Sequence, residues 1–69
     1  MELIDTGKCL RNAQKSQGIN SRQLAKLANT SPQQVLRWRK SSNLKVHTIQ
    51  SLCSALGITI DAFIAFGYK

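Results

Sequence analysis

Between Leu27 and Val35 the chain must end one helix and begin another within a few residues. The segment Asn29-Thr30-Ser31-Pro32 stands there between two stretches with helical apolar spacing. Asparagine tolerates the left-handed backbone that a sharp turn between helices needs. Ser31 offers a hydroxyl for capping, and Pro32 costs nothing at the first helical position, where its missing N–H would be unpaired anyway. The pattern predicts a short helix from Ser21 to Ala28, a turn, and a third helix from Pro32 to about Lys40.

The same punctuation divides the rest of the chain. A first helix is expected from about Leu3 to Gln17, with Leu3, Leu10, Ala13 and Gln17 at helical spacing, Gly7 weakening its first turns and Gly18 ending it in the left-handed conformation. Asn20 is placed to cap the second helix, whose Leu24, Leu27 and Ala28 share one side. After the polar loop Ser41-Ser42-Asn43, residues Val46, Ile49, Leu52, Cys53 and Leu56 mark a fourth helix closed by Gly57. Thr59 caps a last short helix from Ile60 to Phe66, with Asp61 in its first turn and Gly67 beyond its end. No stretch alternates at period two long enough for a strand. The expected architecture is an all-α, compact five-helix domain spanning residues 1–69, with a helix-turn-helix at about 21–40. A chain of 69 residues has room for one core and no second domain.

Charge narrows the function classes. Ten Lys and Arg oppose three acids, for a formal net charge of +7. The acids are Glu2, Asp5 and Asp61, so the middle of the chain is a positive field with no internal neutralisation, suited to a polyanion. No apolar run approaches the roughly 18 residues needed to span a bilayer, and nothing near Met1 reads as a signal peptide, so a cytoplasmic location is expected and no membrane partner. Cys9 and Cys53 form no CxxC pair and read as small half-buried apolar residues. One histidine, His47, builds neither a metal site nor a catalytic dyad. With no carboxylate between Thr6 and Ile60 and no glycine-rich phosphate loop, the chain is read as a non-enzyme with no cofactor, metal or small-molecule ligand.

Two short helices separated by a three-residue turn, the second rich in amides and arginine, fit the helix-turn-helix that binds DNA. Ala25 is small where the two helices cross, Leu24 and Ala28 point inward, and Val35 and Trp38 give the third helix an inner face. Each residue would suit any helical hairpin, and it is their joint spacing that points to DNA.

The run Ile19-Asn20-Ser21-Arg22-Gln23-Leu24-Ala25, the turn Thr30-Ser31-Pro32-Gln33-Gln34-Val35 and the closing Leu52-Cys53-Ser54-Ala55-Leu56-Gly57-Ile58-Thr59-Ile60-Asp61 together resemble the helix-turn-helix family of lambdoid phage repressors, Cro proteins and xenobiotic-response-element regulators. The resemblance covers nearly the whole chain and implies a third helix lying in the major groove of double-stranded DNA. Its outward positions are then Pro32, Gln33, Gln34 and Arg37. Gln33 and Arg37, four apart on one face, are the first candidates for reading base edges, because Gln pairs with adenine and Arg with guanine at two points each. Gln34 is the third candidate. Ser31 and Pro32 are divided between base contact and starting the helix. Leu36 also turns outward, toward a thymine methyl, the following loop or a partner subunit. Phosphate contacts are expected from Asn20, Ser21 and Arg22 at the start of the second helix, where free N–H groups and the dipole favour an anion, and from Lys40, Ser41, Ser42, Asn43 and Lys45 after the third. Lys8, Arg11, Lys15 and Lys26 are read first as solvated helix surface and second as an extension of the positive face.

Two positions depart from the family. Many relatives pair a Glu at the end of the third helix with an Arg on the first, where this chain has Arg39 and Gln14, leaving Arg39 to reach DNA or to bond the Gln. The family's proline before the fourth helix is replaced near Leu44. The implied function is a transcriptional regulator, a Cro-type phage or prophage repressor on a near-palindromic operator of the bacterial nucleoid. It would act as a homodimer, with Phe63, Ile64, Phe66 and Tyr68 as candidates for the dimer surface, although Phe63 and Ile64 are more often core residues at such positions. A small antitoxin or other protein-interaction module on the same fold is the alternative.

Overall fold

The computed structural model describes residues 4–68. Within them the chain forms α1 (Thr6–Gln17), α2 (Ser21–Leu27), α3 (Pro32–Lys40), α4 (Val46–Leu56) and α5 (Ile60–Ala65), followed by a 3-10 turn, Phe66–Tyr68. The fold is all-α, with no strand among the described residues.

Most helix ends are set by the residues expected to set them. Gly18 and Gly57 close α1 and α4 with φ of 66° and 69°. Ser31 Oγ accepts the Gln34 N–H at 3.2 Å, with Pro32 in the first turn of α3. Thr59 Oγ1 accepts from Ala62 N at 3.1 Å, and Asp61 occupies the first turn of α5. At α2, Asn20 Oδ1 accepts the Gln23 N–H at 2.8 Å while Gln23 Oε1 accepts the Asn20 N–H at 3.0 Å, a reciprocal capping box.

Three boundaries shift. α1 begins at Thr6 rather than near Leu3, which lies outside the described residues. Asp5 is the cap, its carboxylate accepting the Lys8 N–H at 3.0 Å. A helix begun earlier would place Asp5, Thr6 and Gly7, all poor helix formers, in its interior and forfeit that cap. α2 stops one residue early, with Ala28 as its C-cap, so four residues rather than three separate it from α3. α5 gives way at Phe66 to the 3-10 turn, which takes in Gly67. A Cβ on Gly67 would lie 2.5 Å from Cys9 Sγ and 2.7 Å from Ile4 Cγ2, so only glycine lets this turn settle on α1.

The core draws Cys9, Leu10 and Ala13 from α1, Leu24 and Ala25 from α2, Val35 from α3, Leu52, Cys53 and Leu56 from α4, and Phe63 from α5. Three apolar residues placed on inward stripes are outside it, one of them Ala28, half-buried as the C-cap of α2. Leu27 is 57% exposed, because the buried side of α2 runs through Leu24 and Ala25, away from Leu27. Val46 is 68% exposed at the first position of α4, where no preceding turn covers it. Side-chain amides tie the helices together, with Gln17 Nε2 donating to Leu56 O at 2.7 Å and Asn12 Nδ2 to Phe66 O at 2.8 Å. Both cysteines are free and buried rather than half-buried, Cys9 fully so. Burial pushes both thiols up from their ordinary value, with Asp5 adding to the effect at Cys9, so they remain neutral, apolar packing groups.

Candidate nucleic-acid interface

The turn between α2 and α3 starts from one unusual backbone. Asn29 has φ of 57°, the only positive value at a non-glycine residue among those described, and its short amide side chain makes that conformation affordable. The bend is closed by Thr30 N–H donating to Ala25 O at 2.8 Å and Asn29 N–H to Lys26 O at 3.3 Å. Val35 is fully buried and Trp38 packs against the core beside it. These anchors fix which face of α3 is left outward.

That face carries Gln33 and Arg37, both exposed and one helical turn apart, with Lys40 exposed at the end. Gln34, expected among the outward positions, is half-buried. Ser31 and Pro32 are exposed, but the Ser31 oxygen is engaged as the cap of α3. Leu36 is 48% exposed on the flank of the same face. Neither described acid lies near this helix in sequence. Asp5 caps α1 and Asp61 sits in the first turn of α5, each at a helix start where a carboxylate is favoured.

The candidate phosphate contacts divide. At the start of α2 the capping box already occupies the backbone N–H groups of Asn20 and Gln23 and the Asn20 Oδ1, so the bare anion site expected there is reduced to Ser21, Arg22 and the Asn20 amide nitrogen. Ser21 is half-buried, and its oxygen accepts from Arg39 Nη1 at 3.1 Å. A hydroxyl that accepts in this way still has its own proton to donate. Arg22 is exposed. In the loop after α3, Ser41 is half-buried and its Oγ accepts the Asn43 N–H at 3.3 Å, whereas Lys40, Ser42, Asn43 and Lys45 are exposed. The loop holds its course without a proline. Leu44 packs against the core, its N–H donates to Thr6 Oγ1 at 2.8 Å, and Thr6 N–H reaches Ser42 O at 3.4 Å.

The positions that depart from the family pattern contain what sequence reasoning missed. Arg39 bonds Ser21 of α2, and no hydrogen bond joins it to Gln14. Gln14 is 3% exposed, donates Nε2 to Ile19 O at 3.3 Å and leaves Oε1 without a partner. Arg11, read as a solvated charge, donates to the Arg39 carbonyl, placing a cation at the carboxyl end of α3 where the helix dipole favours it. Gly7 lies directly beneath that end. A Cβ there would fall 2.6 Å from Arg39 O and closer still to Ser41 O. The only advance signal was the cost of a glycine inside a helix, which a close backbone approach explains.

Phe63, a candidate for a dimer surface, is fully buried as a core residue, because α5 turns it inward between α1 and α4. Ile64 and Phe66 are half-buried, Phe66 against the core, and the Tyr68 side chain lies outside the described residues. Among the described residues no group of three His, Cys, Asp or Glu is placed to hold a metal ion, and no helix is long and apolar enough to cross a membrane.

No curated protein and no solved structure gives a significant match to the chain. The family model described as helix-turn-helix matches residues 10–63, from the middle of α1 through the buried Phe63 of α5, and so takes in the whole α2–turn–α3 unit and its supporting core. The chain belongs to this helix-turn-helix family, of the Cro and repressor type, and is a DNA-binding transcription regulator.

Proposed function

We propose that the protein is a sequence-specific repressor of the Cro type that binds a near-palindromic operator in double-stranded DNA as a homodimer. The observation that carries this reading is the exposed Gln33–Arg37 pair on α3, a helix whose opposite side is anchored by Val35 and Trp38. In the major groove, Gln33 bonds adenine and Arg37 bonds the O6 and N7 of guanine, with Gln34, Ser31 and Pro32 at the edge of the contact. Ser21, Arg22, Asn20, Lys40, Ser41, Ser42, Asn43 and Lys45 supply the backbone contacts that position α3 without reading sequence. A module of 69 residues offers little interface for strong selectivity, so two copies are expected on DNA, their α3 helices in successive major grooves about 34 Å apart. Ile64, Phe66 and Tyr68 are the remaining candidates for the contact between copies. No bond is made or broken: occupying the operator is the whole mechanism, in the cytoplasm of a bacterial cell, with neither cofactor nor small-molecule ligand.

The test is binding to the operator flanking the gene against random duplex at several salt concentrations. Equal affinity for both rules out specific recognition. Two variants separate the roles. Arg37→Ala is expected to relax preference at one base pair at a cost of about 1–3 kcal/mol, whereas Lys40→Ala weakens all sequences alike and lowers the salt slope by about one. If Arg37→Ala reduced specific and random binding equally, Arg37 would be a phosphate contact instead.

A further inference from the structure

Leu36 is out of keeping with its surroundings. It is 48% exposed on a helix whose outward residues after Pro32 are otherwise polar or charged, Gln33, Arg37 and Lys40. The leucine of the following loop, Leu44, is partly buried against the core, whereas Leu36 is left about half open. One turn before Leu36 lies Pro32, also exposed, and residues four apart on a helix are neighbours, so the two form an apolar strip along the flank of the Gln33–Arg37 face.

We infer that Leu36, backed by Pro32, contacts the 5-methyl group of a thymine in the major groove and so sets one position of the preferred sequence. This rests on the reading of α3 as the DNA-facing helix and deepens it. Charge decides between the possible occupants of the strip. A second copy docked symmetrically on Leu36 would bring Arg37 and Lys40 of both copies together, in a chain that already carries +7. DNA satisfies both kinds of neighbour at once, offering phosphates and guanine edges to the cations and, on thymine alone among the four bases, a methyl group to the leucine. The strip is also continuous with the Gln33–Arg37 surface, so a duplex that meets those two side chains passes over Leu36.

The decisive experiment deletes the methyl group and nothing else. The preferred duplex is first selected from a random pool with the full chain, and each thymine is then replaced singly by uracil. At one thymine per half-site, uracil is expected to weaken binding on the order of fourfold, the worth of one buried methyl group. Leu36→Gln, on an exposed position and checked by its melting temperature, is expected to bind the thymine and uracil duplexes equally there, while Leu36→Met keeps the difference. Uracil tolerated at every position overturns the inference, as does a difference that survives in Leu36→Gln. A chain that selects no sequence at all overturns the reading of α3 together with the role of Leu36, whereas a clear selected sequence indifferent to the methyl removes the role of Leu36 alone.

Discussion

Gly7→Ala is expected to destabilise the protein by about 1–3 kcal/mol, although it replaces glycine inside a helix with the best helix former. The two effects have opposite signs. Intrinsic propensity favours alanine by about 1 kcal/mol. Against that, the new methyl carbon would lie 2.6 Å from the Arg39 carbonyl oxygen and closer to that of Ser41, and both are backbone atoms that cannot rotate away. α1 must then draw back from the end of α3, which loosens the Arg11 bond to Arg39 O and the Thr6 bonds to the following loop. Urea unfolding decides the matter. A midpoint equal to or above the wild type's would show that α1 and α3 are not in backbone contact there.

A larger loss is expected from Phe63→Ala, about 3–5 kcal/mol, because the ring is the largest fully buried side chain and alanine leaves a cavity that its neighbours only partly fill. Small domains have a total stability of about 5 kcal/mol at the low end of the usual range, so at the upper end of that loss the folded and unfolded forms of the variant become nearly equal at room temperature. The experiment also separates two roles for this residue. A core position loses stability by the same amount at every protein concentration. A dimer-surface position would keep the stability of the single chain and lose only the part that grows with concentration. Urea melts at two concentrations a hundredfold apart distinguish them, and a concentration-dependent loss would return Phe63 to the dimer surface.

The parts of the fold that could be read from the sequence are those governed by local chemistry. Asn29, Ser31, Pro32, Gly18, Gly57 and Thr59 act on the backbone within a few residues of themselves, and each does in the structure what its side chain suggests. Exposure of Gln33 and Arg37 follows from the same short-range geometry once Val35 and Trp38 face inward. Apolar spacing was a weaker guide at helix ends. It marked Leu27 and Val46 as inward, but a stripe does not say where its cover stops. Contacts across the fold left no local trace beyond the cost of Gly7 inside a helix. Arg39 meets Ser21 eighteen positions away, Arg11 meets Arg39 twenty-eight away, and Gly7 is small for the sake of a helix end more than thirty residues on.

Arg39 joins three helices. Its guanidinium holds the start of α2, its carbonyl receives Arg11 of α1, and its own backbone is the last turn of α3. If α3 is the reading helix, as proposed above, this pinning brings it to the groove with its orientation already chosen, so that little conformational entropy is lost when it docks. The same stiffness removes the easy route by which a wrong base pair could be accommodated. An interface that cannot tilt to restore a missing hydrogen bond must bear the full cost of each mismatch, and discrimination between sites then depends on rigidity as much as on the bonds themselves.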